Sequence, residues 1–168
     1  GQMWAGAGNR LLEVETDDFR YNLKELEKVL KKYNNKIMCV VAYAGDSRTM
    51  TIDNLKQVAD LTKSINPNIW LHAYACHGFS LGLSNDLKYK IKGIELFDSI
   101  TTDPHKVINI PYKLSALLVK EPSSLKKVSS ISDLIMQEQY AFGQITPNIG
   151  SKAWLSLKLW FAFKNIGR

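Results

Sequence analysis

The chain has 168 residues, 45% hydrophobic and 23% charged, which is enough apolar material for one real core and too much for a disordered segment. Its net charge of +6 arises from 22 basic against 16 acidic residues, yet only four of the basic residues are arginines and they do not cluster, so solvated lysine faces explain it better than nucleic-acid binding. No stretch holds the ~18 apolar residues needed to cross a bilayer and no signal peptide is visible; Cys39 and Cys76 read as reduced core thiols, so a cytoplasmic protein without a membrane partner is expected.

In chain order, residues 11–15 make a short strand candidate. Thr16-Asp17-Asp18 offers capping side chains for a helix running to about Tyr33, with Leu23, Leu26, Val29 and Leu30 on one face. Asn34-Asn35 breaks it. Residues 37–43, Ile-Met-Cys-Val-Val-Ala-Tyr, form a continuous apolar run, the pattern of a parallel strand covered on both sides. The exit loop is Ala44-Gly45-Asp46-Ser47. An amphipathic helix follows over 51–65, stopped by Asn66-Pro67-Asn68, and then a strand over 69–75. The order strand, helix, strand indicates an α/β sheet. Beyond Gly78 the pattern loosens over 81–92, and strands are expected near 96–102 and 114–119, antiparallel because their connection is short. A polar, Ser-rich stretch over 123–149 reads as loops with at most a short helix. The final helix, about 151–165, carries Trp154, Leu157, Lys158, Trp160 and Phe161, an aromatic density suited to packing against another domain or subunit.

The chemistry concentrates in Ser99-Ile100-Thr101-Thr102-Asp103-Pro104-His105-Lys106. Proline fixes its own φ and pushes Asp103 toward an extended conformation, so Lys106 falls just past a strand's carboxyl end, where open α/β sheets bind ligands. Upstream lies Trp70-Leu71-His72-Ala73-Tyr74-Ala75-Cys76-His77-Gly78. His72 and Cys76 would share a strand face with His77 opposite, but one strand rarely supplies several ligands and no metal site is expected. Asp46 near Ser47 lacks a third member for a hydrolase triad, and Asp98 and Asp103 read as turn and strand-edge residues.

Together these segments resemble the pyridoxal-phosphate-dependent amino-acid decarboxylases of the glutamate and aromatic-amino-acid type (group II), over nearly the whole chain. The resemblance implies a three-layer α/β sandwich, the central part of a fold-type-I large domain. Residues 1–128 would belong to that cofactor-binding domain, and residues 129–168 would lead toward a C-terminal domain. It implies pyridoxal 5'-phosphate as cofactor, an L-amino acid as small-molecule substrate and a homodimer when complete. By position, Lys106 matches the Schiff-base lysine and His105 the histidine beside it. Ser47 matches the second threonine of an Ala-Gly-Thr-Thr motif, His72 opens the His-Val-Asp-Ala-Ala motif, and Cys76 replaces the alanine against the pyridine face.

One departure is specific. Tyr74 stands where the family has the aspartate that pairs with the pyridinium nitrogen, and no gap separates it in register from Lys106. A phenol with a pKa of roughly 10 supplies no fixed negative charge near pH 7, which weakens the ring as electron sink. The family's phosphate loop and stacking aromatic lie upstream of the matched region. The reading is therefore amino-acid decarboxylation, with two alternatives: a degenerate relative or fragment keeping the fold, or another fold-type-I reaction such as transamination or aldehyde formation.

Overall fold

The computed structural model describes residue 6, residues 8–128 and residues 153–167. Two minimal strands open it, β1 (Thr16–Asp17) and β2 (Arg20–Tyr21), paired antiparallel across Asp18 and Phe19, whose φ values of 47° and 60° make a tight hairpin turn. Then come α1 (Leu23–Tyr33), β3 (Cys39–Tyr43), α2 (Leu55–Ile65), β4 (Trp70–Tyr74), β5 (Ser99–Thr102), β6 (Ala116–Val119), the single turn α3 (Ser123–Lys126) and α4 (Ser156–Ile166). The main sheet has the order β3-β4-β5-β6, parallel as far as β5 and antiparallel between β5 and β6 as expected.

Helices α1 and α2 start later than the sequence suggests, because the residues expected to open them are held in extended pairings. Thr16 and Asp17 pair with β2, so α1 is capped by Asn22, whose Oδ1 accepts from the amides of Lys24 at 3.0 Å and Glu25 at 3.2 Å, and the strand expected over 11–15 does not form. Likewise Ile52 bridges Ala44, and the buried Asp53 carboxylate accepts from the amides of Tyr21 at 2.8 Å and Tyr43 at 2.7 Å. That holds the chain extended until Asn54 caps α2. The stretch 78–96 folds into three short 3₁₀ turns, Gly78–Leu83, Lys88–Ile91 and Ile94–Leu96, and β5 accordingly begins only at Ser99. The expected final helix begins at Ser156, and residues 129–152, where further loops were expected, lie outside the described residues.

The core forms between α1, α2 and one sheet face. Leu26 and Leu30 of α1 and Leu55, Val58 and Ala59 of α2 are buried against Val40, Ala42, Leu71 and Ala73. Side chains alternate on strands, so Val41 and Tyr43 point to the other face. They are 40% and 46% exposed, so among the described residues only one side of β3 is covered. Among the described residues the sheet thus shows two of the three expected layers.

Candidate active site

Parallel strands β3, β4 and β5 end on the same sheet edge, and the sequence-singled residues gather there because each follows, or closes, one of those strands. The loop after β3 meets the exit of β4 with no side chain between them. The Gly78 amide donates to the Ala44 carbonyl at 3.0 Å, and a Cβ on Gly45 would come within 2.6 Å of the Gly78 nitrogen. Gly45, at φ +93°, also needs the left-handed freedom that glycine has.

Tyr74 closes β4, opposite Tyr43 and Thr101 in register, with its ring 5.3 Å from that of Tyr43. Two residues on, Cys76 is buried. Cys76 lies just past the end of β4 and its thiol interacts with the Tyr74 phenol. From β5, the Asp103-Pro104 turn brings the Lys106 amine back onto the Asp103 carboxylate at 2.8 Å, with their side chains only 29% and 13% exposed. Tyr74, Cys76, Asp103, Lys106 and Ser115 therefore form one interacting cluster.

The other three residues lie around it. His72, half-buried on β4, is held at both ring nitrogens, Nδ1 2.8 Å from Ser99 Oγ and Nε2 3.2 Å from Thr101 Oγ1. Burial pushes its pKa down, so it is neutral near pH 7. His105 is turned away from the Lys106 amine: its Nδ1 lies 2.6 Å from the Leu114 carbonyl oxygen, and its ring meets Tyr112 edge-on at 4.8 Å. Ser47 is exposed on the loop after β3 and makes no hydrogen bond to the cluster among the described residues.

Charge in the cluster is set by Asp103. Burial pushes its carboxyl up, but hydrogen bonds from Lys106, Ser115 and Cys76, with the Lys106 charge, outweigh this and hold it at about 2. Reciprocally, the hydrogen bond to Asp103 raises the Lys106 amine above the usual lysine value, against its partial burial. Cys76 is raised by burial, and the thiol beside it raises the Tyr74 phenol. Near pH 7 the cluster thus holds a carboxylate, an ammonium, a neutral thiol and a neutral phenol. Sequence reading passed over Asp103 as a strand-edge residue; its i, i+3 spacing from a lysine across a proline turn was the available signal.

A depressed carboxyl stabilises the fold at every pH above its unfolded value, and that contribution disappears as pH falls through the folded value. Between about pH 4 and pH 2, urea unfolding is expected to show a loss of roughly 1–2 kcal/mol in the wild type, discounted for solvent screening of this partly open pair, that is absent in Asp103→Asn. Equal acid slopes in the two proteins would contradict the assignment.

An open α/β sheet with polar side chains gathered at the carboxyl ends of its parallel strands has the architecture of a ligand-binding α/β domain. The sequence profile of the pyridoxal-dependent decarboxylase conserved domain matches residues 4–168, and the chain belongs to that family, whose cofactor is pyridoxal phosphate. The chain is 29% identical over 170 residues to an aromatic-L-amino-acid decarboxylase of Bacillus atrophaeus, covering 95% of this chain and 35% of that protein. To an L-2,4-diaminobutyrate decarboxylase of Acinetobacter baumannii it is 29% identical, covering 90% of this chain and 31% of that protein. The chain therefore spans about a third of the length of these curated relatives. Among solved structures, mouse CSAD in its apo form superposes with a TM-score of 0.88 at 24% identity, covering 99% of this chain and 36% of that one, which establishes the shared fold.

The residues present fit one part of such a cofactor. A primary amine stands among polar groups at the strand ends, beside the buried Cys76 side chain. The fit is incomplete at position 74, where the side chain is a phenol and not a carboxylate.

Proposed function

We propose that the protein carrying this chain decarboxylates an L-amino acid with pyridoxal phosphate, and that Lys106 is the lysine that binds the cofactor covalently. The observation that carries this reading is the position of the Lys106 amine, fixed on Asp103 at the carboxyl edge of β5 and facing Tyr74 and Cys76 at the end of β4. The cofactor, when bound, supplies an electron sink for the pair of electrons left by departing CO₂. The chain's own residues do the rest. Lys106 anchors the cofactor and carries a proton at Nζ to or from the reacting carbon. Cys76 bounds the ring face, and neutral His72, braced by Ser99 and Thr101, keeps the floor of β4 in place. With Nδ1 committed to Leu114, His105 has only Nε2 left for a ligand. Apolar side chains left exposed on β3 and α4, among them Val41, Tyr43, Trp160 and Phe161, support association into a homodimer.

Borohydride reduction of the cofactor-loaded protein, followed by peptide mapping, is expected to mark Lys106. A mark on another lysine contradicts the assignment. Tyr74 favours a second reading, a relative that keeps fold and cofactor but has lost the reaction, because the adjacent Cys76 thiol, with burial, keeps its phenol neutral. Aldimine-region absorbance without CO₂ release from any amino acid would support that reading, and another carbonyl product would indicate a different fold-type-I reaction.

A further inference from the structure

The ion pair three residues apart at the end of β5 is more than a structural link. We infer that Asp103 is a positioning residue that receives and holds the Lys106 ammonium whenever that lysine is free, so that the amine does not compete with an incoming amino group for the bound carbonyl carbon. This rests on the reading of Lys106 as the covalent anchor.

The geometry is one-sided. Lys106 Nζ lies 2.8 Å from Asp103 Oδ2, and the carboxylate, 13% exposed, is also contacted by Ser115 from the segment before β6 and by Cys76 from the exit of β4. The groups facing the amine are Asp103 on its own turn, and Cys76 and Tyr74 from β4. His105, the adjacent residue, is turned to Leu114 and Tyr112 and does not share in the pair. Asp103 is therefore the sole anionic partner of Lys106 among the described residues near pH 7.

The consequence follows from elementary amine chemistry. A primary amine attacks a carbonyl carbon only through its nitrogen lone pair: the C–N bond forms, the nitrogen's protons pass to the carbonyl oxygen, and water leaves with that oxygen. An ammonium has no such lone pair. When an amino acid's nitrogen takes the place of Lys106 on that carbon, its new C–N bond forms as the bond to Lys106 Nζ breaks and its protons pass to the departing amine, and a fixed carboxylate beside Nζ makes the protonated form the favoured one. Asp103 itself is a poor base, because hydrogen bonds from Lys106, Ser115 and Cys76 outweigh its burial and hold its carboxyl well below the usual carboxylate range. Its effect is to set the free lysine's charge and location. Both matter for exchange of substrate and product.

The test reads the amine directly, in the full-length protein freed of cofactor. Trace labelling with acetic anhydride across pH, mapped to the Lys106 peptide, reports how much of the amine is unprotonated. In Asp103→Asn the labelling profile is expected to move to lower pH, with Lys106 labelled on the order of fivefold faster at pH 8, about 1 kcal/mol at ~1.4 kcal/mol per factor of ten. Asp103→Glu, which keeps the charge, is expected to return most of the wild-type profile. Identical profiles in wild type and Asp103→Asn overturn the inference. Should Asp103→Asn not fold, the wild type still decides, since Lys106 must titrate above the ordinary lysine range and a profile at or below that range overturns the pair's role. A parallel reaction with pyridoxal phosphate and borohydride separates the two claims. A mark on another lysine defeats the anchor reading whatever the anhydride shows, whereas a mark on Lys106 with unshifted anhydride profiles defeats only the role of Asp103.

Discussion

Tyr74→Asp in the full-length protein is expected to raise CO₂ release, by up to roughly a hundredfold if about two units of stabilisation of the protonated ring nitrogen are fully expressed in the barrier. Tyr74 closes β4 in the place that the family resemblance assigns to the ring-nitrogen partner, and here its phenol is pushed further from ionisation by the Cys76 thiol and by burial. It therefore donates at most a neutral hydrogen bond. A carboxylate at the same position would favour a protonated ring nitrogen by opposite charge. Two features of the site could oppose the gain: the ring packing of Tyr74 on Tyr43 would be lost, and a second carboxylate would stand near the Asp103 and Lys106 pair. Measuring CO₂ release together with thermal unfolding of the cofactor-loaded protein separates these effects. A stable, loaded variant with unchanged activity would refute this reading of position 74. A destabilised variant would instead show that the pocket has been rebuilt around the tyrosine, leaving an aspartate buried without its partner.

Gly78→Ala is expected to cost about 2–3 kcal/mol of stability, near the upper end for overpacking a close contact. The added methyl group would fall on the Ala44 carbonyl, the same group that accepts the Gly78 amide at 3.0 Å. Relief requires backbone movement, since neither partner is the end of a flexible side chain. The displacement would separate the loop carrying Ser47 from the exit of β4 carrying Cys76, so cofactor affinity is expected to fall as well. Urea unfolding checks the first effect, and an unchanged midpoint would mean that the two loops are not held as closely as described.

Much of this architecture was legible in the sequence because its signals are local. The 3.6-residue spacing of Leu23, Leu26 and Leu30, the apolar run through Val40 and Ala42, and the short link between β5 and β6 each depend on neighbours along the chain, and each leads to the element found. Helix starts were less legible. Asp17 and Asp53 are sound capping candidates by type, and only pairing with distant segments, β2 in one case and the amides of Tyr21 and Tyr43 in the other, removes them from that role. The exposed face of β3 is a similar case, because a continuous apolar run does not say which of its sides is covered among the described residues.

For the site, the residue identities are fixed along the chain: a lysine after an Asp-Pro turn, a tyrosine in the place of an aspartate, a cysteine two residues on, and with them membership of a pyridoxal-phosphate-dependent family. Those identities are covalent facts and survive any arrangement of the chain. Which of these residues act on one another follows from folding alone. It joined Tyr74 and Cys76 to Lys106 across two parallel strands, turned His105 toward Leu114, and left Ser47 at the surface. It also made Asp103 the controlling charge, since a carboxylate three residues from a lysine is an ordinary solvated pair until a proline turn and the neighbouring strand ends exclude water from it, and electrostatic coupling grows as that water is removed.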